Sequence, residues 1–446
     1  MRSTLVTLSA LVAFWTFTVA SGQTTPALRV GAAKVDVTPD PSNQPVLDRL
    51  YSRAIVIANG EISAALVTVD TIAINDNLWK TVTERIEKEL NISARNVFLT
   101  ATHTHSGGGG PGGAGSMADK IFASVKAAQE KLQPARMGYG TGVSYINVNR
   151  AIIDPQTRKW REGPNYQGVS DKTVAVIKFE AMNGVPIAVY FNYAVHGVIA
   201  GTLGMISADI PGAASNYIED SSDGNIVAVW STAAEGDQNP IFFQQTFDVR
   251  DFQTQVLLKQ GQDYTNSIPP MTNLDRNHPT VKRIERQQKQ MLLTMGQMLG
   301  EEVLHVMRTS SRTVSTAAIS SNQTTVTCPG RQRTDRGVRA GVEATYTDAN
   351  PVPIRLSLLN IGDISLAGVN AEVYSTIGMR LKKESPIGRT MMVTLTNGTA
   401  PSGYIPNDAA YTQLTFEVLG SRLKPGCAED AIVNGLLDMM GAGSKR

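Results

Sequence analysis

The sequence is poor in several residue types, and each scarcity narrows the range of functions. Only two of its 446 residues are cysteine, which limits the chain to one intrachain disulfide and excludes a structural zinc site built from cysteine alone. Lysine and arginine (41) nearly balance aspartate and glutamate (39), and no basic block is present. A nucleic-acid partner is therefore not expected.

Long apolar runs are also absent beyond the N-terminus. Residues 1–22 (MRSTLVTLSALVAFWTFTVASG) place Arg2 before an apolar run that ends in small residues, which is the pattern of a secretory signal peptide. A retained membrane anchor is the alternative, but the run is short for a spanning helix. We therefore expect a signal peptide over residues 1–22 and a single exported domain over residues 23–446, either secreted or, in a bacterium, periplasmic.

Export makes a disulfide chemically feasible. The chain contains Cys328 and Cys427, and we predict that they pair with each other. Two buried free thiols are the alternative.

Strand and helix patterns alternate along the chain. Two strands flank Asn59-Gly60 as a hairpin, and NDNLWKTVTERIEKEL has the apolar spacing of an amphipathic helix. The apolar run NVFLTAT predicts a strand in a central position of a sheet. The class is therefore α/β, with a mixed sheet covered by helices. Residues 242–277 are polar and weakly periodic, which indicates an insertion or a mobile cover.

Three of the five histidines follow predicted strands. NVFLTATHTHSGGGG carries a strand into His103 and His105, and PIAVYFNYAVHG carries another into His196. Residues i and i+2 of an extended segment face the same side, and strand ends are common catalytic positions in α/β sheets. Imidazole is a good Zn²⁺ ligand, so a catalytic zinc site is the leading hypothesis. The alternative is that these histidines only form hydrogen bonds at the strand ends. For His278 and His305 such a structural role is the preferred interpretation.

Motifs of other hydrolases and nucleotide-binding proteins do not occur. The chain has no G-x-S-x-G elbow and no H-E-x-x-H helix. The run SGGGGPGGAG lacks the Lys-Ser/Thr end of a P-loop and follows a strand that ends in histidines.

Several segments occur in the order found in one known family. VGAAKVDVTP, NVFLTATHTHSGGGG, NVNRA, NYAVHG, SADIPGAASNYIE, AEGDQNP and NAEVYSTIGMRL resemble the neutral/alkaline (non-lysosomal) ceramidases over about residues 28–416. The resemblance implies a neutral-ceramidase-like catalytic domain that uses zinc to cleave the N-acyl amide bond of ceramide or a related N-acyl lipid or small amide. A protein with a lipid substrate would also be expected to contact a membrane surface peripherally.

The resemblance implies a role for particular residues of the site. His103 and His196 would be zinc ligands, Glu372, at the start of a late helix, would be the third, and Tyr404 would complete the site. His105 would act at the substrate, as a hydrogen-bond or proton donor.

Three further residues are assigned around this centre. The resemblance implies that Arg150 and Tyr411 face the substrate. Asp237 is a candidate catalytic residue that orients a histidine, with a turn or helix-start role as the alternative. Tyr404 is also assigned a catalytic role, through a contact of its phenol with the oxyanion.

The chain departs from the family in two ways. A serine near the metal is missing, because residues 236–240 read GDQNP where the family has G-D-x-S-P. No C-terminal immunoglobulin-like domain is expected. These differences keep two alternatives open: a zinc-dependent esterase or lactonase on the same scaffold, and a non-catalytic binding protein on a decayed scaffold.

Overall fold

The structure is a computed structural model that describes residues 27–441, except for residues 41, 43, 61, 109–113, 265–267, 311 and 336–339. The predicted signal peptide and part of the glycine-rich loop after His105 lie outside the described residues. Among the described helices, none combines the length and the apolar character that a membrane span requires.

Sixteen strands are assigned in the described part of the chain. They are β1 (Leu28–Asp36), β2 (Tyr51–Asn59), β3 (Ile62–Val69), β4 (Val97–Ala101), β5 (Gln133–Val143), β6 (Asn147–Ile153), β7 (Trp160–Asn165), β8 (Thr173–Ala181), β9 (Pro186–Tyr193), β10 (Val227–Thr232), β11 (Gln238–Pro240), β12 (Thr313–Val314), β13 (Ile319–Arg333), β14 (Tyr346–Ile361), β15 (Ile364–Val369) and β16 (Arg389–Val393).

Eight α-helices are assigned in the same residues. They are α1 (Asp76–Leu90), α2 (Ala114–Glu130), α3 (Asp209–Asp220), α4 (Gln244–Lys259), α5 (Pro279–Thr309), α6 (Ser375–Glu384), α7 (Phe416–Gly420) and α8 (Ala428–Met439). The predicted amphipathic helix is α1, and its N-cap is Asn75, whose side chain accepts from the Leu78 amide at 2.9 Å.

Two sheets pack face to face between layers of helices. The larger sheet has the order β10-β9-β8-β5-β1-β2-β3-β4, with β12 also paired to β5, and the smaller has the order β13-β14-β15-β16. One apolar cluster joins the facing sides of the two sheets. A second cluster joins the outer side of the larger sheet to α1 and α2, and a third joins the same side to α3 and α5. A fourth joins the smaller sheet to α6 and α8. The architecture is therefore αββα, which agrees with the predicted mixed α/β class.

The strand sequences explain this layering. Along β2, Ile55 and Ile57 point into the cluster between the sheets, whereas Ala54 and Val56 point towards the helices. Successive side chains of a strand face opposite sides, so a strand covered on both sides must be apolar at every position. The continuous apolar runs in the sequence are the consequence.

The strand before the histidine pair occupies a different position from the one predicted. β4 lies at the end of the larger sheet rather than in its centre, yet all five of its residues are buried. The segment that follows β16 covers its free edge: the Leu99 amide donates to the Asn397 side chain, and the Asn397 amide donates to the Leu99 carbonyl. An apolar strand sequence indicates that the strand is buried, but it does not indicate its position in the sheet. An edge strand can be buried by a loop as well as by a neighbouring strand.

The polar segment 242–277 is more regular than its sequence suggests. It contains α4, which contributes Val249 and Phe252 to a small apolar cluster with Val281 and Ile284 of α5. The amphipathic signal of α4 is weak because three of its buried residues, Thr246, Gln253 and Thr254, are polar.

The two cysteines form a disulfide between β13 and the start of α8. The Cα atoms of Cys328 and Cys427 are 5.8 Å apart. The bond closes a loop across a sequence separation of 99 residues.

Removal of this disulfide should destabilise the protein strongly. We expect the Cys328→Ala/Cys427→Ala variant to lose roughly 4–5 kcal/mol of unfolding free energy, because the bond restricts the unfolded chain over a long loop. Denaturant unfolding of the variant and the wild type measures the difference. Two titratable thiols in unreduced, denatured wild-type protein would contradict the pairing.

Candidate metal centre

Strand ends from both sheets meet at one buried point. His103 follows β4, His196 follows β9 and Glu235 follows β10, all in the larger sheet, whereas Glu372 follows β15 in the smaller one. Backbone hydrogen bonds join these ends: the Gly236 amide, for example, donates to the Val373 carbonyl at 2.9 Å. The site lies where carboxyl ends of strands commonly bring functional groups together.

His103 is held by the backbone beside it. Its amide donates to the Thr71 carbonyl at 3.0 Å, and its Nδ1 donates to the Ile72 carbonyl at 2.8 Å. Because a carbonyl can only accept, the proton of the neutral ring lies on Nδ1, and Nε2, the atom that would bind a metal, faces the cluster. The segment is not extended here, since β4 ends at Ala101 and the φ angle of His103 is 63°. The strand-alternation reason for the shared direction of His103 and His105 was therefore wrong, although their rings do meet.

His196 has the same arrangement on a second strand. Its Nδ1 donates to the Gln238 carbonyl at 3.0 Å, which leaves Nε2 facing the cluster. The ring is fully buried, and its centroid lies 4.7 Å from that of His103. A carbonyl that orients the ring of a metal-ligating histidine is a common feature of metal sites.

Glu372 lies between the two imidazoles. Its Oε2 is 3.2 Å from Nε2 of His103 and 3.3 Å from Nε2 of His196. The residue precedes α6 by three positions rather than opening the helix. A short parallel bridge between Val373 and Ile405 holds it in place and sets Tyr404 beside it.

His105 is the exposed member of the histidine group. Its Nε2 lies 3.4 Å from Nε2 of His103, and the two ring centroids are 4.9 Å apart. Its amide donates to the Gly197 carbonyl at 2.9 Å, which ties the loop to the end of the neighbouring strand segment. The side chain therefore stands on the open side of the cluster.

The three imidazoles have different proton affinities in the metal-free protein. Burial lowers the pKa of His103, but the Glu372 carboxylate more than compensates and raises it to about 9. Burial, assisted by the charge of Arg150, lowers the pKa of His196 well below its ordinary value. Loss of hydration and the neighbouring His103 lower the pKa of His105 to about 3, so it is neutral at physiological pH.

The two carboxyl groups of the cluster also differ. Burial raises the pKa of Glu372, but His103 and His196 together hold it well below its ordinary value. Burial raises the pKa of Glu235 to about 8, because His103 only partly offsets the loss of hydration and Glu372 adds repulsion. The metal-free cluster thus holds protons that a divalent cation would displace.

Tyr404 and Arg150 flank the cluster on one side. The Tyr404 ring stacks against His196, with centroids 6.3 Å apart. The Arg150 guanidinium lies 5.3 Å from the centre of the Tyr404 ring and 4.9 Å from that of Phe416. Burial raises the pKa of Tyr404 well above its ordinary value, so the phenol keeps its proton.

Arg150 is buried rather than open to a substrate cavity. Its exposed fraction is 3%, and its Nε forms an ion pair with Glu417 at 2.5 Å. Its other nitrogens donate to the Gly236 carbonyl at 2.7 Å and to the Asn239 side chain at 3.2 Å. Direct contact with a substrate stays a prediction, whereas the packing of Arg150 around Tyr404 is evident.

Asp237 anchors the helix that follows Glu372. Its carboxylate accepts from the Ser375 amide at 2.8 Å, from the Ser375 hydroxyl at 3.1 Å and from the Asn149 amide group at 2.9 Å. The groups that orient His103 and His196 are backbone carbonyls. Asp237 thus holds the first residue of α6 through a contact between distant parts of the chain, and its catalytic role stays a prediction.

Tyr411 packs against a small apolar cluster of Tyr374, Ala410 and Val418. Its hydroxyl donates to the Leu423 carbonyl at 3.2 Å and lies 3.4 Å from the Ser421 hydroxyl. Arg331 packs over its ring at 5.1 Å. The role of Tyr411 at the substrate stays a prediction.

Glu235 is the residue of this cluster that the sequence interpretation missed. Its carboxylate lies within 4.8 Å of the ligand atoms of His103 and Glu372. The signal was available, because the acidic residue follows the apolar strand GNIVAVWST after only two alanines, as the histidines follow their strands.

The donor set fits a divalent metal ion. In the described part of the chain, His103, His105 and His196 form one group whose ligand atoms lie within 4.8 Å, and His103, Glu235 and Glu372 form another. One oxygen of Glu235 is buried and has no hydrogen-bond partner there, which would be costly without a cation. Imidazoles and carboxylates are the usual ligands of Zn²⁺ and related metals.

The fold and the site together define an αββα protein with a buried centre of histidine and carboxylate ligands at its strand ends. The family model described as "Neutral/alkaline non-lysosomal ceramidase, N-terminal" matches residues 38–334, about two thirds of the sequence. The chain therefore belongs to this family of hydrolases.

Individual proteins are similar to this chain in sequence or in fold. The chain is 30% identical to neutral ceramidase B of Dictyostelium discoideum over 134 residues, which are 28% of this chain and 19% of that protein. Two solved structures share the fold at 18% sequence identity. A ceramidase complexed with C2 superposes with a TM-score of 0.71 over 94% of this chain and 76% of its own. The neutral ceramidase from Pseudomonas aeruginosa gives 0.70 over 94% and 75%.

Proposed function

We propose that this protein is an exported, zinc-dependent amidohydrolase that cleaves the N-acyl bond of a ceramide or a related N-acyl compound. One observation carries the proposal: the Nε2 atoms of His103 and His196, each fixed by a backbone carbonyl, face the same oxygen of Glu372 at 3.2 and 3.3 Å. These three residues would hold the metal, with Tyr404 beside them. A lipid substrate would be reached by peripheral contact with a membrane surface.

The chemistry is divided between the metal and the side chains around it. When bound, Zn²⁺ supplies a Lewis acid for the acyl carbonyl and lowers the pKa of a water molecule towards about 7. His105, on the open side, takes part in proton transfer to the leaving amine or donates a hydrogen bond to the developing oxyanion. The protonated phenol of Tyr404 is a second donor to that oxygen.

The position of the family's serine gives no competing nucleophile. Asn239 occupies that position, is 3% exposed, and donates to Glu162 at 2.9 Å while it accepts from Arg150. The nitrogen of a carboxamide is a very poor nucleophile, because its lone pair is delocalised into the carbonyl group. Activated water is therefore the nucleophile of the proposed reaction, and the missing serine does not contradict it.

The substrate class is tested with purified protein and a panel of ceramide, simple N-acyl amines, esters and lactones. We expect fatty-acid release from the amides, loss of this activity with a chelator and its return with zinc. Cleavage of esters or lactones alone would establish the alternative hydrolase. Metal-loaded protein that binds N-acyl compounds without cleaving any of them would establish a binding protein.

A further inference from the structure

Glu235 is a buried acid with an unsatisfied oxygen. Its exposed fraction is 0%, and Oε2 accepts a hydrogen bond from the Thr394 hydroxyl at 2.5 Å. Oε1 is shielded from solvent and has no hydrogen-bond partner in the described residues. Leaving a carboxylate oxygen buried and unpaired costs free energy, so such an atom requires an explanation.

The surroundings of Glu235 indicate what is missing. Its carboxylate and the ligand atoms of His103 and Glu372 all lie within 4.8 Å of one another. The buried carboxylate of Glu235 and the partly buried carboxylate of Glu372 repel each other at this separation unless a proton or a cation lies between them. A divalent ion that contacts both carboxylates would compensate both charges and satisfy the unpaired oxygen.

The backbone and Thr394 hold Glu235 in this orientation. The Thr394 amide donates to the Thr232 carbonyl at 2.8 Å, and its hydroxyl also lies 2.7 Å from the Ala233 carbonyl. Thr394, whose hydroxyl binds Glu235, is thus fixed to the end of β10. Glu235 follows this strand in the sequence. Hydrogen bonds of this kind to the outer oxygen of a carboxylate are typical of metal ligands.

We propose that Glu235 is a direct ligand of the metal, so that the centre contains two imidazoles and two carboxylates, from His103, His196, Glu372 and Glu235. The inference rests on the metal site of the proposed function. The resemblance to the ceramidases supplies no ligand at this position, and the acid precedes the Gly236–Pro240 segment from which the serine is missing. The centre of this chain is therefore richer in hard oxygen ligands than two histidines and one glutamate would make it.

Zinc affinity of the Glu235→Gln variant tests this ligand. The amide has the shape of the acid but is a far poorer ligand, and we expect a loss of more than about 100-fold, because residues outside the coordination sphere already cost 10–100-fold. Competition with a chelator measures the affinity for metal-free wild type and variant. The matched control is Glu219→Gln, which removes an equally buried carboxylate (2% exposed) that pairs with Arg53 and Lys34 away from the centre.

Two further measurements separate a ligand from a nearby proton carrier. The visible spectrum of the Co²⁺-loaded protein should change in Glu235→Gln and stay unchanged in Glu219→Gln. A zinc-bound crystal of the wild type should place a Glu235 oxygen about 2.0–2.2 Å from the ion, whether or not the variant folds. A smaller affinity loss with an unchanged cobalt spectrum, or a zinc ion without Glu235 at bonding distance, would overturn the inference.

The inference and the proposed function fail in different ways. Wild-type protein that binds no metal would contradict both the inference and the proposed function. Wild type that binds zinc and hydrolyses N-acyl substrates, with an affinity that Glu235→Gln leaves intact, would remove the inference alone. Wild type that binds zinc through Glu235 but cleaves no amide would support the inference and contradict the amidohydrolase.

Discussion

The His196→Ala variant should purify without zinc and should lose N-acyl hydrolysis. In the wild type, Nε2 of His196 lies 3.3 Å from the Glu372 carboxylate, and Nδ1 donates to the Gln238 carbonyl. The substitution therefore removes an oriented ligand from a buried site. We expect a loss of more than about 100-fold in zinc affinity, beyond the range of residues outside the coordination sphere. Elemental analysis should find about one Zn²⁺ per wild-type chain and none in the variant.

The control for this variant is His305→Ala. His305 is an exposed residue of α5, so its removal tests histidine loss without touching the centre. Zinc content and turnover should match the wild type. Wild-type protein free of metal, or a His196→Ala variant with full zinc occupancy, would contradict the assignment of this ligand.

Local sequence patterns were sufficient to predict most of the elements around the site. Apolar runs that end in a histidine were correctly interpreted as β4 and β9, because an uninterrupted apolar strand is stable only when both faces are covered. The same reasoning failed for the position of β4 in its sheet. Burial of its free edge by Asn397 comes from a contact between residues 298 positions apart, and a local pattern contains no information about it.

The predicted ligands illustrate the same limit. The imidazoles of His103 and His196 could be placed at strand ends from the sequence, but Glu372 entered only through the family resemblance. Glu235 follows the apolar strand β10 as the histidines follow theirs, but it was missed by both routes, because it belongs to no histidine motif and the resemblance assigns it no role. What distinguishes it is a geometric fact, the convergence of strands from two sheets, which brings its carboxylate within 4.8 Å of its partners.

The buried Glu235 and the partly buried Glu372 lie in one cluster, which is why we expect the centre to depend on its metal for stability. Metal-free, the cluster keeps protons on groups such as His103 and Glu235, whose pKa values are about 9 and about 8. An ion that displaces these protons binds the folded state and not the unfolded one, so it stabilises the fold in proportion to its affinity. Zinc should therefore raise the melting temperature of the wild type more than that of any ligand variant.

The histidine pair itself should separate into a ligand and a group that acts on the substrate. His103 is 2% exposed, is anchored through Nδ1 to the Ile72 carbonyl and meets Glu372, whereas His105 is exposed on the open side. His103→Ala should therefore lose both zinc and activity. His105→Ala should keep most of its zinc, yet lower kcat by about 10²–10⁴-fold, because a proton donor or oxyanion contact acts in the transition state.

Zinc content and amidase turnover of the two variants decide the division, with His305→Ala again as the control. The reverse result is physically reasonable, because His105 Nε2 lies only 3.4 Å from His103 Nε2 and His105 belongs to one of the two groups whose atoms could share an ion. If His105→Ala loses the zinc and His103→Ala retains it, the roles are exchanged. If both variants turn over N-acyl substrates at the wild-type rate, the pair does not carry the chemistry, and the catalytic centre lies elsewhere in the protein.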